Sequence, residues 1–559
     1  MREALVEINQ TEAQNRDIAF QAYQSFGMHA AAKSERHTPT SYFDAMRCDD
    51  REQWKKAIAV ELAAIKRNQV MVEVPRVPSG HKAIGAKWIF KIKYNKDGSL
   101  DKYKARLVCQ GFHQREGLDY KETFAPVVRL DSLRLLLALA ASDPEVELLH
   151  LDAISAFLNG RLKEKIYMKA PPGVPSDSGF FQLLRTLYGL KQAPREWHEV
   201  VEAFLLGKPG FSKVKSASCL YVKREGSKWC IVALYVDDLV IAGHPQLTGS
   251  IRSALMNEFE MTDNGDLSFC LGLEVQRDPA TASVRVSQKQ YANDILERYG
   301  MENCKAAPTP AAEIIRLTSE MSPKTSRERE QLRIDFKDLP YRVVVGSLLY
   351  LCNTRPDIQF AVGQVSRFAE DPGRQHYVAL KRIIRYVRGT STYGVVYTGG
   401  QGVVLSGSTD ADWAGDPETR RSTSGYIITL GGAPISWRSS RQKCLATSSC
   451  EAEYVAACAA GQDLVWLRRV LDELGFTQAG PSLLLEDNQG CIRHAKNQTD
   501  HGRMKHIDVK KFFVRELVQA GEIELRYIPS EEMPADIMTK ALGRIKFSRC
   551  RQLAGAVPT

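Results

Sequence analysis

The stretch ALYVDDLVIAG, residues 233–243, sets two adjacent carboxylates, Asp237 and Asp238, inside an apolar run. An Asp-Asp pair taken alone is more often a surface turn than a site. Here Ile231 to Val236 precede the pair and Leu239 to Ala242 follow it, and both runs are rich in Val, Ile, Leu and Tyr. Such runs read as strands, so the segment predicts a hairpin with acids at its tip and Gly243 ending the second strand. Like charges this close repel each other and lose hydration on burial. A cation beside them relieves both costs, and hard oxygen ligands of this kind suit Mg²⁺. A metal site needs a third carboxylate from elsewhere in the chain.

HLDAISAFLNG, residues 150–160, offers one. Asp152 ends the apolar run Val146, Leu148, Leu149, Leu151, an aromatic follows at Phe157, and an Asn-Gly turn closes the segment. Alone, this too is more often a strand-end Asp at a turn. Upstream, KWIFKIKY and YKARLVCQGF flank the turn NKDGS and carry Lys87, Lys91, Lys93, Lys102, Lys104 and Arg106. The pattern is that of a β-ribbon with a basic face. The interleaved aromatics Trp88, Phe90, Tyr94, Tyr103 and Phe112 favour a phosphate-gripping ribbon over a merely solvated one.

With 559 residues, a 44% hydrophobic and 25% charged composition and a formal charge of +10, the chain has the length of several globular domains and a mild preference for polyanions. No uncharged apolar run is long enough for a membrane span. The opening MREALVEINQTEAQNRD lacks the apolar core of a secretory signal. The 12 Cys contain no C-x-x-C pair, which argues against zinc knuckles and a disulfide framework, so a reducing, non-secreted location is expected. EQWKKAIAVELAAIKRN predicts a helix, residues 306–340 read as a Pro-, Ser- and charge-rich linker, and 341–390 are helical in pattern.

From about residue 403 a new α/β pattern begins. Asp410 ends a strand in STDADWAGD, Glu451 lies in the first turn of a helix capped by Ser448 or Ser449, Asp487 ends the strand SLLLED, and Asp536 sits in MPADIMTKAL. Asp412 and Glu453 are near neighbours that match the pattern less well. MKHIDVKKFFVRE adds Lys505, His506 and Lys510, which suit backbone phosphates as well as they suit a solvated basic helix.

YVDD, preceded by D-x-x-x-A-F and by LYGLKQAPREW, closely resembles the reverse transcriptase of copia-type LTR retrotransposons. AKWIFKIKYNKDGSLDKYKARLVCQGF, ETFAPVVRLDSLR, EKIYMKAPPG, LSFCLGLEV and GSLLYLCNTRPDI agree in order, and the resemblance runs from about residue 41 to about residue 545. The resemblance implies an α+β multidomain protein: a right-hand polymerase of fingers, palm and thumb, then an α/β RNase H-like domain. The expected division is a flexible leader at 1–40, fingers, palm and the start of the thumb at 41–300, a linker and helical thumb or connection at 301–400, the RNase H-like domain at 401–545 and a tail at 546–559.

The resemblance further implies RNA-directed DNA synthesis, and cleavage of the RNA in RNA–DNA hybrids, by two-metal phosphoryl chemistry. Asp152, Asp237 and Asp238 are the implied metal ligands of the polymerase, and Asp410, Glu451, Asp487 and Asp536 those of the ribonuclease, with Mg²⁺ as the ion and Mn²⁺ as its substitute. Phe157 matches the ring that excludes a 2′-OH. Gln192 lies in the pocket loop, Lys191, Lys91, Lys93, Lys104 and Arg106 are candidates for the triphosphate, and Leu271 and Gly272 resemble a primer-grip hairpin. The implied partners are an RNA template, a DNA or RNA primer, RNA–DNA hybrid and deoxynucleoside triphosphates, with integrase and capsid proteins of the same element. A cytoplasmic virus-like particle, with passage to the nucleus, is the implied location. Protease, zinc-knuckle and integrase signatures are absent, so the chain reads as the C-terminal portion of such a polyprotein. The competing reading is an inactive or co-opted relic that only binds nucleic acid.

Overall fold

The structure, a computed structural model, describes residues 37–94, 99–496 and 508–559. Most of the expected leader, the NKDGS turn, Lys505, His506 and the side chain of Lys510 lie outside the described residues. Among the described residues no helix is long and apolar enough to cross a membrane. The architecture is the expected α+β one, with five sheets among the described residues.

The basic ribbon forms as an antiparallel hairpin, Ala86–Tyr94 against Leu100–Cys109. Its period-two burial puts Trp88, Phe90 and Ile92 on the inner face, where Trp54 of the helix Arg51–Arg67 meets the rings of Phe90 and Tyr103 at 5.1 and 4.7 Å. Register does the rest. Lys91 opposes Lys104, Lys93 opposes Lys102 and Ile89 opposes Arg106, so every cation of the ribbon shares the other face. The interleaved aromatics Trp88 and Phe90 are therefore core residues, not part of the basic surface.

Beside it lies a six-stranded sheet ordered Met261–Asp266, Glu147–Ala153, Asp238–Gly243, Lys228–Tyr235, Leu220–Glu225, Ser212–Lys213. The helix Leu130–Ser142, buried on nearly every side, underlies it. Arg134 of that helix donates to Asn353 O and lies 3.8 Å over the Trp437 ring, tying this sheet to the later one.

The later sheet is mixed, in the order Ala433–Arg441, Thr423–Leu430, Leu405–Asp412, Ser482–Glu486, Ile523–Tyr527. Its first three strands are antiparallel, and the last two run parallel to Leu405–Asp412. The helix Ser449–Glu473 covers one face, and Ser448 is its cap, accepting from Glu451 N at 3.2 Å.

Two expected irregular segments are ordered elements. The tail carries the helix Arg544–Leu553 and the strand Ala556–Pro558, which pairs with Tyr393–Tyr397 in a sheet begun by residues 269–287. Burial of Phe547, Cys550 and Ala554 holds it there. The expected linker is pinned to the basic helix Arg374–Gly389: Arg382 donates to Thr309, and His376 Nε2 lies 3.0 Å from Thr318 O.

The phrase TRPDI has a structural purpose. Arg355 and Asp357 form a buried bidentate pair at 2.9 and 2.8 Å, with Thr390 and Tyr386 completing its hydrogen bonds. Burial alone would raise the Asp357 carboxyl; Arg355 and Tyr386 outweigh it and hold the group below the usual range. The stability this adds is present above the ordinary carboxylate value and is lost as pH falls below it. Asp357→Asn leaves Arg355 uncompensated and is expected to cost ~3–5 kcal/mol. Native-state hydrogen exchange of the 374–389 amides reads it, and a loss below about 1 kcal/mol would contradict the assignment.

Two candidate carboxylate centres

At the first centre, Val236 and Asp237 make a two-residue turn between Lys228–Tyr235 and Asp238–Gly243. The hairpin is thus the one expected from ALYVDDLVIAG. Val236 takes φ +55, a strained conformation for a β-branched residue. Trp197 Nε1 donates to Val236 O at 2.6 Å and Ala153 N to Asp237 O at 2.8 Å, which pins the tip.

Asp238 is the register partner of Asp152, so both carboxylates stand on one face of the sheet. His150, two residues before Asp152, shares that face, and its Nε2 lies 2.9 Å from Asp238 Oδ1. Asn264 lies behind it, 3.3 Å from His150 Nδ1. Burial, then Asp237 and Asp238, raise the Asp152 carboxyl. Burial, with Asp238, raises Asp237. These are acids held where ionisation is costly, as the sequence suggested, but the Asp238 carboxylate is engaged by His150. Asp152, Asp237 and Asp238 are not among the sets of three, in the described residues, whose ligand atoms lie within 4.8 Å of one another.

The basic face of the ribbon faces this centre. Burial, then Arg106 and Lys93, push the Lys104 ammonium down to about 8, against the pull of Asp152. Arg106 and Lys104 in turn act on Asp237. The Arg106 guanidinium sits 4.7 Å over the Tyr188 ring, whose edge meets half-buried Phe157 at 5.2 Å. Lys104, Arg106, Tyr188, Phe157, Asp152 and Asp237 thus form one neighbourhood. Lys91 and Lys93 are exposed on the same face. The exposed Lys191 lies against Tyr120, with Nζ 3.1 Å from its hydroxyl.

Gln192 does not face the centre. It is 2% exposed and spends its amide on Gln114 and on Asp119 O, both at 2.9 Å, so it holds the pocket loop in place. The loop closes onto the ribbon because Gly189, at φ +87, has no Cβ; one would stand 2.2 Å from Cys109 O. Leu271 and Gly272 form a tight turn, with Tyr350 donating to Leu271 O at 2.7 Å.

The second centre assembles from four segments. Asp410, 1% exposed, comes from the strand Leu405–Asp412 and Asp487 follows the strand Ser482–Glu486. The third carboxylate is Glu453, not Glu451. Ligand oxygens of Asp410, Glu453 and Asp487 all lie within 4.8 Å of one another. Glu451 instead turns back along the helix start, accepting from Thr447 N at 2.7 Å and Thr447 Oγ1 at 2.5 Å. Helix phase is the reason. Stepping back by four and three from the buried Leu471 reaches Leu467, Leu464, Ala460, Ala457 and Glu453, all buried. That stripe was visible in the sequence and would have selected Glu453.

Asp536 is buried beside Asp410, as the sequence placed it. Its Oδ1 pairs with Lys540 at 2.8 Å and Lys546 lies against its Oδ2, which accepts no hydrogen bond among the described residues; it does not join the set of three. Lys540 bridges to Asp410 Oδ1 at 3.3 Å, and Thr539 donates its hydroxyl to Asp410 Oδ2. The turn comes this close because position 425 is Gly; a Cβ there would stand 2.5 Å from Met538 Cβ. Glu486, also missed in the sequence, is fully buried next to Asp487.

Burial first raises Glu453 and Glu486 well above the carboxylate range; the charges of Glu486, Asp410 and Asp487 add to it at Glu453, and those of Asp487 and Asp410 at Glu486. Burial, with Asp536 and Asp487 and against Lys540, lifts Asp410 to about 7. Glu453 Oε2 is buried with no hydrogen-bond partner among the described residues. Such an atom normally has a partner. A hard divalent cation held by Asp410, Glu453 and Asp487 would satisfy it and balance the crowded charge.

The chain matches the family described as "Reverse transcriptase (RNA-dependent DNA polymerase)" over residues 69–313. It is 40% identical over 529 residues to the "Retrovirus-related Pol polyprotein from transposon TNT 1-94" of Nicotiana tabacum, covering 93% of this chain and 39% of that one. It is 38% identical over 527 residues to the corresponding polyprotein from transposon RE1 of Arabidopsis thaliana, covering 94% and 35%. A putative transposon Ty5-1 protein of Saccharomyces cerevisiae is 31% identical over 314 residues, 55% of this chain and 98% of its own length. The chain therefore spans well under half of the long polyproteins it resembles.

Proposed function

The chain belongs to the reverse transcriptase family of copia-type retrotransposon Pol polyproteins, and on that footing we propose that it copies RNA into DNA at the first centre and cuts the RNA of RNA–DNA hybrids at the second. The observation that carries the polymerase reading is the pairing of Asp152 with Asp238 at the YVDD tip, beneath the cationic face of the ribbon. The unpartnered Glu453 Oε2 beside Asp410 and Asp487 carries the ribonuclease reading.

Asp152 and Asp237, joined by Asp238, would hold Mg²⁺ at the first centre, and Asp410, Glu453 and Asp487 at the second; Mn²⁺ accepts the same oxygens. A divalent ion there supplies electrostatic stabilisation to the attacking and leaving oxygens of phosphoryl transfer. The protein does the rest by position. Lys104 and Arg106 grip the triphosphate, with Lys91, Lys93 and Lys191 as outlying cations. Tyr188 supports Arg106 from below, and the Phe157 ring fills the space a 2′-OH needs. His150 orients Asp238. Template, primer and hybrid are the partners, held by salt-sensitive backbone contacts, and a cytoplasmic particle is the setting.

Primer extension on poly(A) RNA with Mg²⁺, run beside cleavage of a labelled RNA–DNA hybrid, tests both activities. Binding of primer–template without synthesis would favour the relic reading instead. A finer outcome concerns Lys104. Its ammonium loses its proton as pH rises through about 8, so the grip on triphosphate weakens there. KM for the deoxynucleotide is expected to rise about tenfold across that range, while Lys104→Arg, charged throughout, stays flat. Parallel profiles for the two proteins would remove Lys104 from the triphosphate site.

A further inference from the structure

We propose that the Tyr188 ring couples triphosphate grip to sugar selection, so that Arg106 and Phe157 act through it as one device. This rests on the polymerase reading of the first centre and deepens it: Tyr188 is a positioning residue for the deoxynucleotide.

Ring contacts and backbone bonds make the link together. On one side the Arg106 guanidinium lies 4.7 Å over the Tyr188 ring. On the other, the ring meets that of Phe157 edge-on, at 5.2 Å and 77°. Buried Thr186, two residues before Tyr188, donates its hydroxyl to Phe157 O and its N–H to Gly160 O at 2.9 Å. Tyr188 O accepts from Cys109 N at 2.7 Å, three residues after Arg106 in the same strand. Residues 186–189 therefore strap the ribbon to the segment that carries Phe157, and the fully buried Leu187 anchors the strap.

The link has little room to give. Arg106 Nε is buried with no hydrogen-bond partner among the described residues, so stacking on Tyr188 steadies the guanidinium. Phe157 packs against the core beneath the ribbon and against the core of the six-stranded sheet. A ring wedged between two close-packed groups cannot yield freely. A 2′-OH pressing on Phe157 would drive it toward Tyr188, and Tyr188 could give way only by lifting Arg106. A ribonucleotide would then suffer the clash and lose triphosphate grip as well; a deoxynucleotide suffers neither. Selection against ribose thus draws on a cation that does not touch the sugar.

The test measures kcat and KM for dUTP and for UTP, which differ only in the 2′-OH, on oligo(dT)-primed poly(A) with the full chain and Mg²⁺. The parent is expected to prefer dUTP. Tyr188→Leu is expected to lower that preference at least about tenfold, with the dUTP KM rising about fivefold and kcat held within about threefold. Tyr188→Phe, which keeps the ring, is expected to restore both preference and KM to within about twofold of the parent. Arg106→Gln is decisive, because a cation that only held the triphosphate would weaken dUTP and UTP alike. Preference is expected to fall at least about fivefold in Arg106→Gln, and no further when that change is added to Tyr188→Leu. Arg106 is only half-buried, so its variant decides the matter even if Tyr188→Leu unfolds early. A preference unmoved by Arg106→Gln would overturn the coupling, as would a fall that adds in full to that of Tyr188→Leu. So would a Tyr188→Leu protein that loses kcat for both nucleotides alike. Synthesis by the parent without preference for dUTP would overturn both the Phe157 gate and the coupling. No synthesis on a primer–template that the parent binds would overturn the polymerase reading, and the proposal with it.

Discussion

Replacing Asp237 and Asp238 together by Asn is expected to end DNA synthesis, lowering primer extension by more than about a thousandfold, while primer–template binding changes by no more than about twofold. The argument rests on what the carboxylates cost. Burial raises Asp152 and Asp237, and the neighbouring acids push them further. A fold keeps such charges only where something repays the repulsion. Asn has the same shape, keeps the turn and removes the repulsion, so the double variant is expected to unfold no earlier than the parent. Loss of synthesis with undiminished stability would therefore report chemistry and not folding. The single variants are expected to differ. Asp237 has burial and facing cations, whereas Asp238 is already engaged by His150 at 2.9 Å; Asp237→Asn should cost more than Asp238→Asn. Synthesis within about tenfold of the parent in the double variant would remove the hairpin from catalysis.

What the sequence made legible is what local periodicity encodes. The YVDD hairpin, the basic ribbon and the Ser448 cap follow from alternation, turn residues and a capping side chain. The alternation of strands and helices after residue 403 was legible in the same way, whereas which of its strands run parallel was not. What stayed hidden depends on contacts between distant segments. Gln192 reads as a pocket residue until Gln114 and Asp119 are seen to take up its amide. Asp536 reads as a free acid until Lys540 and Lys546 close on it. The last residues read as a tail because the strand Ala556–Pro558 has meaning only beside Tyr393–Tyr397, more than 150 residues earlier in the chain. Trp88 and Phe90 read as part of a phosphate-gripping ribbon because Trp54, which Phe90 packs against, lies on another element. His150 gave no signal at all: its importance comes from the register that sets it beside Asp238.

Glu453 and Glu451 offer a sharper test, since they sit two residues apart on one helix and differ only in direction. Two residues turn an α-helix by roughly 200°, enough to send one side chain to the sheet and the other to the helix start. Glu453→Gln is expected to abolish hybrid cleavage, by more than about a thousandfold, and to leave primer extension within about twofold. Its Oε2 is buried and unpartnered among the described residues, beside Asp410 and Asp487, so replacing the carboxyl by an amide adds no charge to the crowd and stability should hold or rise. Glu451→Gln is expected to do the reverse. It weakens the bonds from Thr447 and the opening of the helix, at about 0.5–2 kcal/mol, and leaves hybrid cleavage within about threefold. Measured on both variants, cleavage and thermal unfolding should therefore move independently. If Glu451→Gln silenced cleavage while Glu453→Gln spared it, the second centre would have to be rebuilt around the helix start.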